Sequence, residues 1–244
     1  MGIRMCKFLM NLRIELNNVD GDDGKEILCR TETSIIYRNN GKVTKKLTAL
    51  DYSKTLDRVK VLIDFPHPNI CKYHSVDYDK REIQMDYYKE DFFSVITTKE
   101  FSRERLYQFF KNMVEAVNHI HKLDIVHTDV KLDNFMVGGD ELVLIDFEIT
   151  HGTHFYASPD GYSSKKSDIW SLGVCFYAIL FGEFPFTVAN KKCKMYIEYE
   201  DKGYLEHFKY ATEHEESILK NTLCVDKDKR WTIEQLMEGV ISLK

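Results

Sequence analysis

Two polar strings constrain this chain more than any other stretch: His127-Thr128-Asp129-Val130-Lys131-Leu132-Asp133-Asn134 and, after a short turn, Leu142-Val143-Leu144-Ile145-Asp146-Phe147-Glu148. Asp129 and Asn134 stand five positions apart on what reads as one loop, so both side chains can point from it at a common centre. Asp146, at the end of an apolar run, closes that centre. A hard cation such as Mg²⁺ takes oxygen ligands, usually one or two carboxylates with the remaining positions left to phosphates and water. Asn134 and Asp146 form a donor pair of that kind.

The first string is similar to H-R-D-L-x-x-x-N and the second to D-F-G, and in that order they make the chain resemble the eukaryotic-type protein kinases. Flanking segments extend the resemblance over roughly residues 27 to 242. Gly152-Thr153-His154-Phe155-Tyr156-Ala157-Ser158-Pro159-Asp160 tracks G-T-x-x-Y-x-A-P-E, and Ser167-Asp168-Ile169-Trp170-Ser171-Leu172-Gly173 resembles D-x-W-S-x-G. Asp226 to Thr232 is similar to D-P-x-x-R-x-T, which implies a pair between Arg230 and Asp160. The implied fold is α+β and two-lobed: a reduced antiparallel-β small lobe over residues 1–88 and a mainly helical large lobe over 89–244.

The resemblance also implies chemistry: Mg²⁺-ATP-dependent transfer of the γ-phosphoryl group to serine or threonine of a protein. Asp129 would orient the acceptor hydroxyl and take its proton, Lys131 would stabilise charge on the transferring group, and Asn134 and Asp146 would hold the metal around a nucleotide. Lys131, two residues after Asp129, is the choice of the Ser/Thr-specific members. Ile83-Gln84-Met85-Asp86-Tyr87-Tyr88 resembles the last small-lobe strand running into the hinge. There adenine would meet backbone groups near Asp86 and Tyr88, with Met85 behind it and Asp91 placed for the ribose.

In the small lobe, Ser34 to Arg38, Asn39-Asn40-Gly41 and Lys42 to Leu47 read as strand, tight turn and strand, because Asn-Gly supplies the positive backbone angles of a short hairpin. The family's phosphate-binding lysine ends a Val-Ala-Ile-Lys run, and counting from Val43 places Lys46 at its fourth position, with Lys45 as the rival. Strand alternation puts Thr44 and Lys46 on one face and Val43, Lys45 and Leu47 on the other. Cys29 to Ser34 lies where a glycine-rich loop would, yet holds no glycine, and Glu32 adds a charge unfavourable to phosphate. A helix is expected over 53–63, capped by Ser53, with Leu56, Val59 and Ile63 on one face. Arg58 occupies the position of the glutamate that pairs the strand lysine in the family, and Asp57 is the nearest acid.

In the large lobe, Leu106, Phe109, Phe110, Met113, Val117 and Ile120 recur at helical spacing over 102–121 and form a core stripe. His119 and His121 read as solvated or hydrogen-bonded rather than catalytic. Only three residues separate Asp146-Phe147-Glu148 from Gly152, so the activation loop is almost absent. The arginine of H-R-D, a common partner of an activation-loop phosphate, is Thr128 here, which agrees with that loss.

Composition excludes several other classes. Hydrophobic content of 43%, charged content of 30% and a formal net charge of -5 describe a globular chain with no general attraction for nucleic acid or anionic membrane. Ile169 to Phe181 is apolar for 13 residues, short of the ~20 that a spanning helix needs, and reads as a buried helix. The six cysteines, Cys6, Cys29, Cys71, Cys175, Cys193 and Cys224, are scattered without C-x-x-C and without an apparent secretory leader, which points to free thiols in a reducing, cytoplasmic compartment, the nucleus not excluded. His151 and His154 lack the neighbours of a zinc site, and Met1-Gly2 with Cys6 misses the acylation pattern at its last position. Residues 20–24 form an acidic turn. The expected partner is a protein substrate or a regulated protein. The rival reading is a catalytically silent kinase-like module that binds a kinase or regulator; a small-molecule kinase comes third. So trimmed a member is similar to the kinases of large DNA viruses.

Overall fold

The computed structural model describes residues 26–39, 42–50, 52–149 and 152–244. The expected acidic turn at 20–24, the acylation motif, the Asn40-Gly41 turn dipeptide and Thr150-His151 lie outside the described residues.

Strands β1 (Glu26–Arg30), β2 (Ser34–Asn39) and β3 (Lys42–Leu47) are followed by helix α1 (Ser53–Asp64), then β4 (Tyr73–Asp77) and β5 (Glu82–Met85). The five strands form one antiparallel sheet in the order β1-β2-β3-β5-β4. The β2–β3 pairing runs from Ser34 opposite Leu47 to Asn39 opposite Lys42, the register a two-residue connection imposes. Helix α1 buries Thr55, Leu56, Val59 and Leu62. Leu62, three residues on from Val59, is the fully buried residue that closes that apolar face, and the expected Ile63 is half-buried against the same core. Ser53 does not cap α1; it is already the first helical residue, and Tyr52 precedes it without a capping side chain.

Helices α2 (Phe92–Thr98) and α3 (Arg103–Lys122) open the second part, followed by the hairpin β6 (Phe135–Gly138) and β7 (Glu141–Leu144). Then come α4 (Lys165–Phe181), α5 (Lys194–Lys202), α6 (Glu213–Thr222) and α7 (Ile233–Ile241). Ser102 caps α3 by accepting from the Arg105 amide, and the buried stripe includes Phe109, Phe110, Met113, Val117 and Ile120. The apolar run at 169–181 is the body of α4, buried on all sides and ended by Gly182 in left-handed backbone at φ 74°. Phe110 of α3 stacks on Phe176 of α4 with ring centroids 4.2 Å apart, which locks the two central helices together. No helix among the described residues is long and apolar enough to cross a membrane.

Two sets of contacts tie the sheet to the helical part. The Cys71 amide donates to the Leu144 carbonyl (2.9 Å), the Leu144 amide to the Asn69 carbonyl (2.8 Å), and the Asn69 side chain to the Leu142 carbonyl (2.9 Å). The second set passes through Lys45 of β3 and belongs to the site below. The architecture is two-lobed and α+β, as expected.

Candidate active site

The catalytic-loop residues sit where α3, α4 and the β6–β7 hairpin converge. Asp168, near the start of α4 and buried, accepts from the backbone amides of His127 (2.8 Å) and Thr128 (3.0 Å) and from the Nε2 of buried His121 (2.9 Å). This clamp fixes the chain into the loop. It suits Thr128, whose φ of 75° is costly for a β-branched residue and persists only when neighbours hold it. His127, fully buried, donates from Nε2 to the Ile145 carbonyl (3.0 Å) and accepts the Asp129 amide at Nδ1 (3.3 Å), so one ring joins both polar strings. It also meets Phe147 edge-on at 5.1 Å between centroids.

Three side chains meet on the far side of that loop. Thr153 donates its hydroxyl to Asp129 Oδ1 (2.8 Å) and accepts from Lys131 Nζ (3.0 Å), while Lys131 Nζ also lies 2.7 Å from Asp129 Oδ2. Gly152 allows Thr153 to arrive there. Its φ is 67°, and a Cβ at that position would stand 2.1 Å from the Tyr162 ring, so no side chain fits. The Thr153 hydroxyl shows that Asp129 accepts a hydroxyl proton donor in this setting, with a cationic amine beside it.

The cation-binding expectation falls on Asn134 and Asp146. The Asn134 amide nitrogen donates to the Asp129 carbonyl (2.8 Å), which leaves its amide oxygen as the group able to meet a cation. Backbone pairing of the Ile145 amide to the Asn134 carbonyl (2.9 Å) keeps Asp146 beside it. Asp146 is in left-handed backbone at φ 64°, an unfavourable conformation of the sort found at functional sites. Burial pushes its carboxyl up, but the Lys45 ammonium outweighs that and holds it below the usual carboxylate range. The donor set is all oxygen, as Mg²⁺ requires, and among the described residues no three His, Cys, Asp or Glu side chains converge to hold a metal by themselves. Phosphate and water oxygens would therefore complete the shell, which fits a metal–nucleotide complex.

Lys45 of β3 reaches this centre. Its ammonium lies 2.7 Å from Asp146 Oδ1 and also pairs with Glu148. Burial alone lowers its pKa; the two carboxylates more than offset this and raise it. Behind it, Ile36, Val59, Tyr73, Ile83, Met85 and Phe147 line a cavity of about 50 Å³.

With this geometry in view, a family model described as "Protein kinase domain" matches residues 36–240. The chain belongs to the protein kinase domain family. The curated relatives include maternal embryonic leucine zipper kinase of Xenopus laevis, 29% identical over 212 residues covering 75% of this chain and 32% of that protein. Serine/threonine-protein kinase ksp1 of Schizosaccharomyces pombe is 26% identical over 166 residues, 57% of this chain and 35% of that protein. The chain thus spans about a third of the length of these relatives.

Against the family pattern, the structure corrects one assignment. Lys46, expected at the phosphates, is exposed and stands opposite Glu82, on a surface shared with Thr48, Asp79, Lys80 and Arg81. Lys45 is buried and Lys46 exposed; Val43 and Leu47 are buried on the side of Lys45, and Thr44 on the other side is buried as well. The reason is cross-strand. Ile36 and Ile83 flank Lys45 on β2 and β5, and both line the cleft.

The remaining assignments have mixed surroundings. Met85 is on β5 against Val43 and Tyr73, at the back of the cavity. The Asp86 amide donates to the Lys72 carbonyl (3.0 Å) and its carboxylate meets His74 Nε2 (2.7 Å), so part of the expected hinge is used within the protein. Burial, together with the nearby Cys71 and Asp86 side chains, pushes the Tyr88 hydroxyl up to about 12, and its ring lies beside Gly138. Asp91 caps α2, taking the Ser94 amide on one oxygen and the Ser94 hydroxyl on the other, both at 2.7 Å.

In place of a glycine-rich loop, β1 and β2 are joined by a closed turn. Thr31 Oγ1 accepts the amides of Thr33 (3.2 Å) and Ser34 (2.9 Å), and the Thr31 amide donates to the Ser34 carbonyl (2.8 Å). Backbone donors that could face phosphate are spent inside this turn. The Arg230–Asp160 pair forms at 2.6 Å, with Arg230 buried and also bonded to the Cys224 and Lys166 carbonyls.

The residues that spacing did not single out for the site are Asp168, Thr153 and Glu148. Asp168 and Thr153 stand inside quoted motifs whose role looked structural. Glu148 lies two positions after Asp146 inside the second polar string, but with Asp146 in left-handed backbone no strand period marked it.

Proposed function

We propose that this chain transfers the γ-phosphoryl group of Mg²⁺-ATP to serine or threonine hydroxyls of a protein substrate. The observation that carries the reading is the cluster of Asp129, Lys131 and Thr153, in which a hydroxyl already donates to Asp129 beside an ammonium, next to the oxygen donors of Asn134 and Asp146. Mg²⁺-ATP, when bound, supplies the transferable group and the divalent charge. Asp129 orients the acceptor hydroxyl and takes its proton as the hydroxyl oxygen bonds to the γ-phosphorus and the bond from that phosphorus to the β–γ bridging oxygen breaks, with ADP leaving; Lys131 offsets negative charge on the transferring group. Asp146 and the Asn134 amide oxygen would hold the cation. Lys45, in place of Lys46, would meet the α- and β-phosphates, and Met85, Asp86, Tyr88 and Asp91 would border the adenosine.

The division into lobes at residues 88 and 89 follows the change from β5 to α2 on either side of that point. A reducing intracellular setting accords with the free thiols of Cys29, Cys71, Cys175, Cys193 and Cys224.

A second reading, a catalytically silent module that binds a kinase or regulator, has one observation in its favour: the closed Thr31–Ser34 turn offers phosphate few backbone donors. Phosphate transfer from Mg²⁺-ATP to generic protein substrates, with Asp129→Asn as control, separates the two. Transfer by the parent and its loss in Asp129→Asn support the kinase reading. No transfer by the parent, or equal transfer by both proteins, replaces it with the silent module.

A further inference from the structure

The acid that holds the cleft lysine does not come from α1. Position 58 of that helix is Arg58, whose Nη1 lies 3.5 Å from the Phe147 carbonyl oxygen, and Asp57 accepts from the Tyr78 hydroxyl (2.9 Å) at an exposed site. The ammonium of buried Lys45 meets instead two carboxylates from one three-residue stretch, Asp146 and Glu148. Phe147 between them is turned into the core, against Tyr73 and His127, which leaves the side chains on either side of it facing β3. Glu148 is itself buried, so it is not a solvated acid that happens to stand near a lysine.

We infer that Glu148 takes the place of an acid from α1 as the anion that positions the Lys45 ammonium in the cleft. This rests on the reading of Asp146 as a cation ligand in the proposed phosphoryl-transfer site. If Asp146 turns to a cation, a buried ammonium would lose its hydrogen-bonded counter-charge, and a second carboxylate on the same lysine keeps it compensated. The arrangement also ties lysine and cation ligand to one segment of the large lobe. Movement of α1 then leaves the lysine's ion pair intact, and Arg58 on that helix reaches the Phe147 carbonyl.

The test has two arms, both on the full chain. The first needs no nucleotide: melting temperatures of the parent, Lys45→Met, Glu148→Gln and the double variant, beside the same cycle with Asp57→Asn. A direct pair makes the Lys45–Glu148 cycle non-additive by about 2 °C or more, and leaves the Lys45–Asp57 cycle additive. Additivity at Glu148, or coupling at Asp57 instead, overturns the inference.

The second arm measures Mg²⁺-ATP binding by calorimetry. Glu148→Gln weakens binding roughly tenfold, as expected for loss of one charge-assisted hydrogen bond. Glu148→Asp recovers part of it, and Arg58→Glu in the Glu148→Gln background recovers most by returning an acid to α1. Tighter binding in Glu148→Gln means that Glu148 only repels phosphate and overturns the positioning role. A parent that neither binds Mg²⁺-ATP nor transfers phosphate sinks the phosphoryl-transfer reading separately, and the melting cycle then decides the partner of Lys45 by itself.

Discussion

The two lobes hold their functional side chains by different means. In the helical lobe the catalytic loop is fixed by buried polar groups with fixed partners: Asp168 takes three donors, His127 bridges two strings, and Arg230 is satisfied by Asp160 and two carbonyls. Among its described residues the sheet lobe contributes one buried charge, Lys45, and its counter-charges come from the other lobe. Where a glycine-rich loop was expected, its β1–β2 connection is a self-bonded turn at Thr31 to Ser34. A low-dielectric network punishes the loss of any member, whereas an exposed turn or strand lysine tolerates change.

The largest break in this contrast is Asp129→Asn. Turnover should fall about 10²- to 10⁴-fold, the usual worth of a general base, while Mg²⁺-ATP binding by calorimetry and the melting temperature stay near those of the parent. Next comes Asp168→Asn. An amide there presents a donor to the His127 and Thr128 amides and leaves at least one buried N–H unmet, so unfolding in denaturant should show a loss of about 3 kcal/mol, with activity impaired as well.

The third concerns a buried acid of the helical lobe, Glu215, which accepts from Arg103, Tyr107 and the Thr212 amide. Burial raises its pKa, but these donors outweigh that and hold it below the ordinary glutamate value. A depressed folded-state pKa means the stabilisation is fully present above the unfolded value of about 4.3 and is lost as pH falls through the folded value. The melting-temperature gap between parent and Glu215→Gln should accordingly be constant from pH 7 down to about 5 and narrow below about 4.3. A gap that widens on acidification contradicts the assignment.

Smaller effects belong to the sheet lobe. Thr31→Ala removes the acceptor that closes the β1–β2 turn and should cost about 1 kcal/mol in a denaturant melt. Lys46→Met should change stability by less than about 0.5 kcal/mol. The thermal shift given by 1 mM Mg²⁺-ATP, about 3 to 6 °C if the dissociation constant is near 100 μM, should survive in Lys46→Met and shrink in Lys45→Met. Reversal of that order would restore the sequence-based choice of lysine.

The two central helices of the helical lobe were legible in the sequence, whereas α2, α5, α6 and α7 were not. The stripe from Leu106 to Ile120 announces a helix because its apolar residues repeat with the helical period, and the run from Ile169 to Phe181 announces a buried one by its continuous apolar character; α3 and α4 lie at those places. The order of the two polar strings was enough to bring Asp129, Asn134 and Asp146 into one region, since a loop and the hairpin that follows it are neighbours by connectivity alone.

What the linear chain could not decide was which face of β3 is buried. Adjacent lysines at 45 and 46 satisfy the alternation equally well, and a slip of one residue exchanges their environments. Pairing with Ile36 and Ile83, both turned to the cleft, made the choice in favour of Lys45. Nor could the chain show what replaces the missing helix glutamate, because that partner is remote from Lys45 in sequence and adjacent only after the lobes meet. The sequence by itself indicated the two central helices, the β2–β3 pairing and the grouping of the two polar strings, all of which rest on local pattern and short spacing. The tertiary structure alone decided which charges face one another, because an ion pair depends on distance in space and on the water that packing removes.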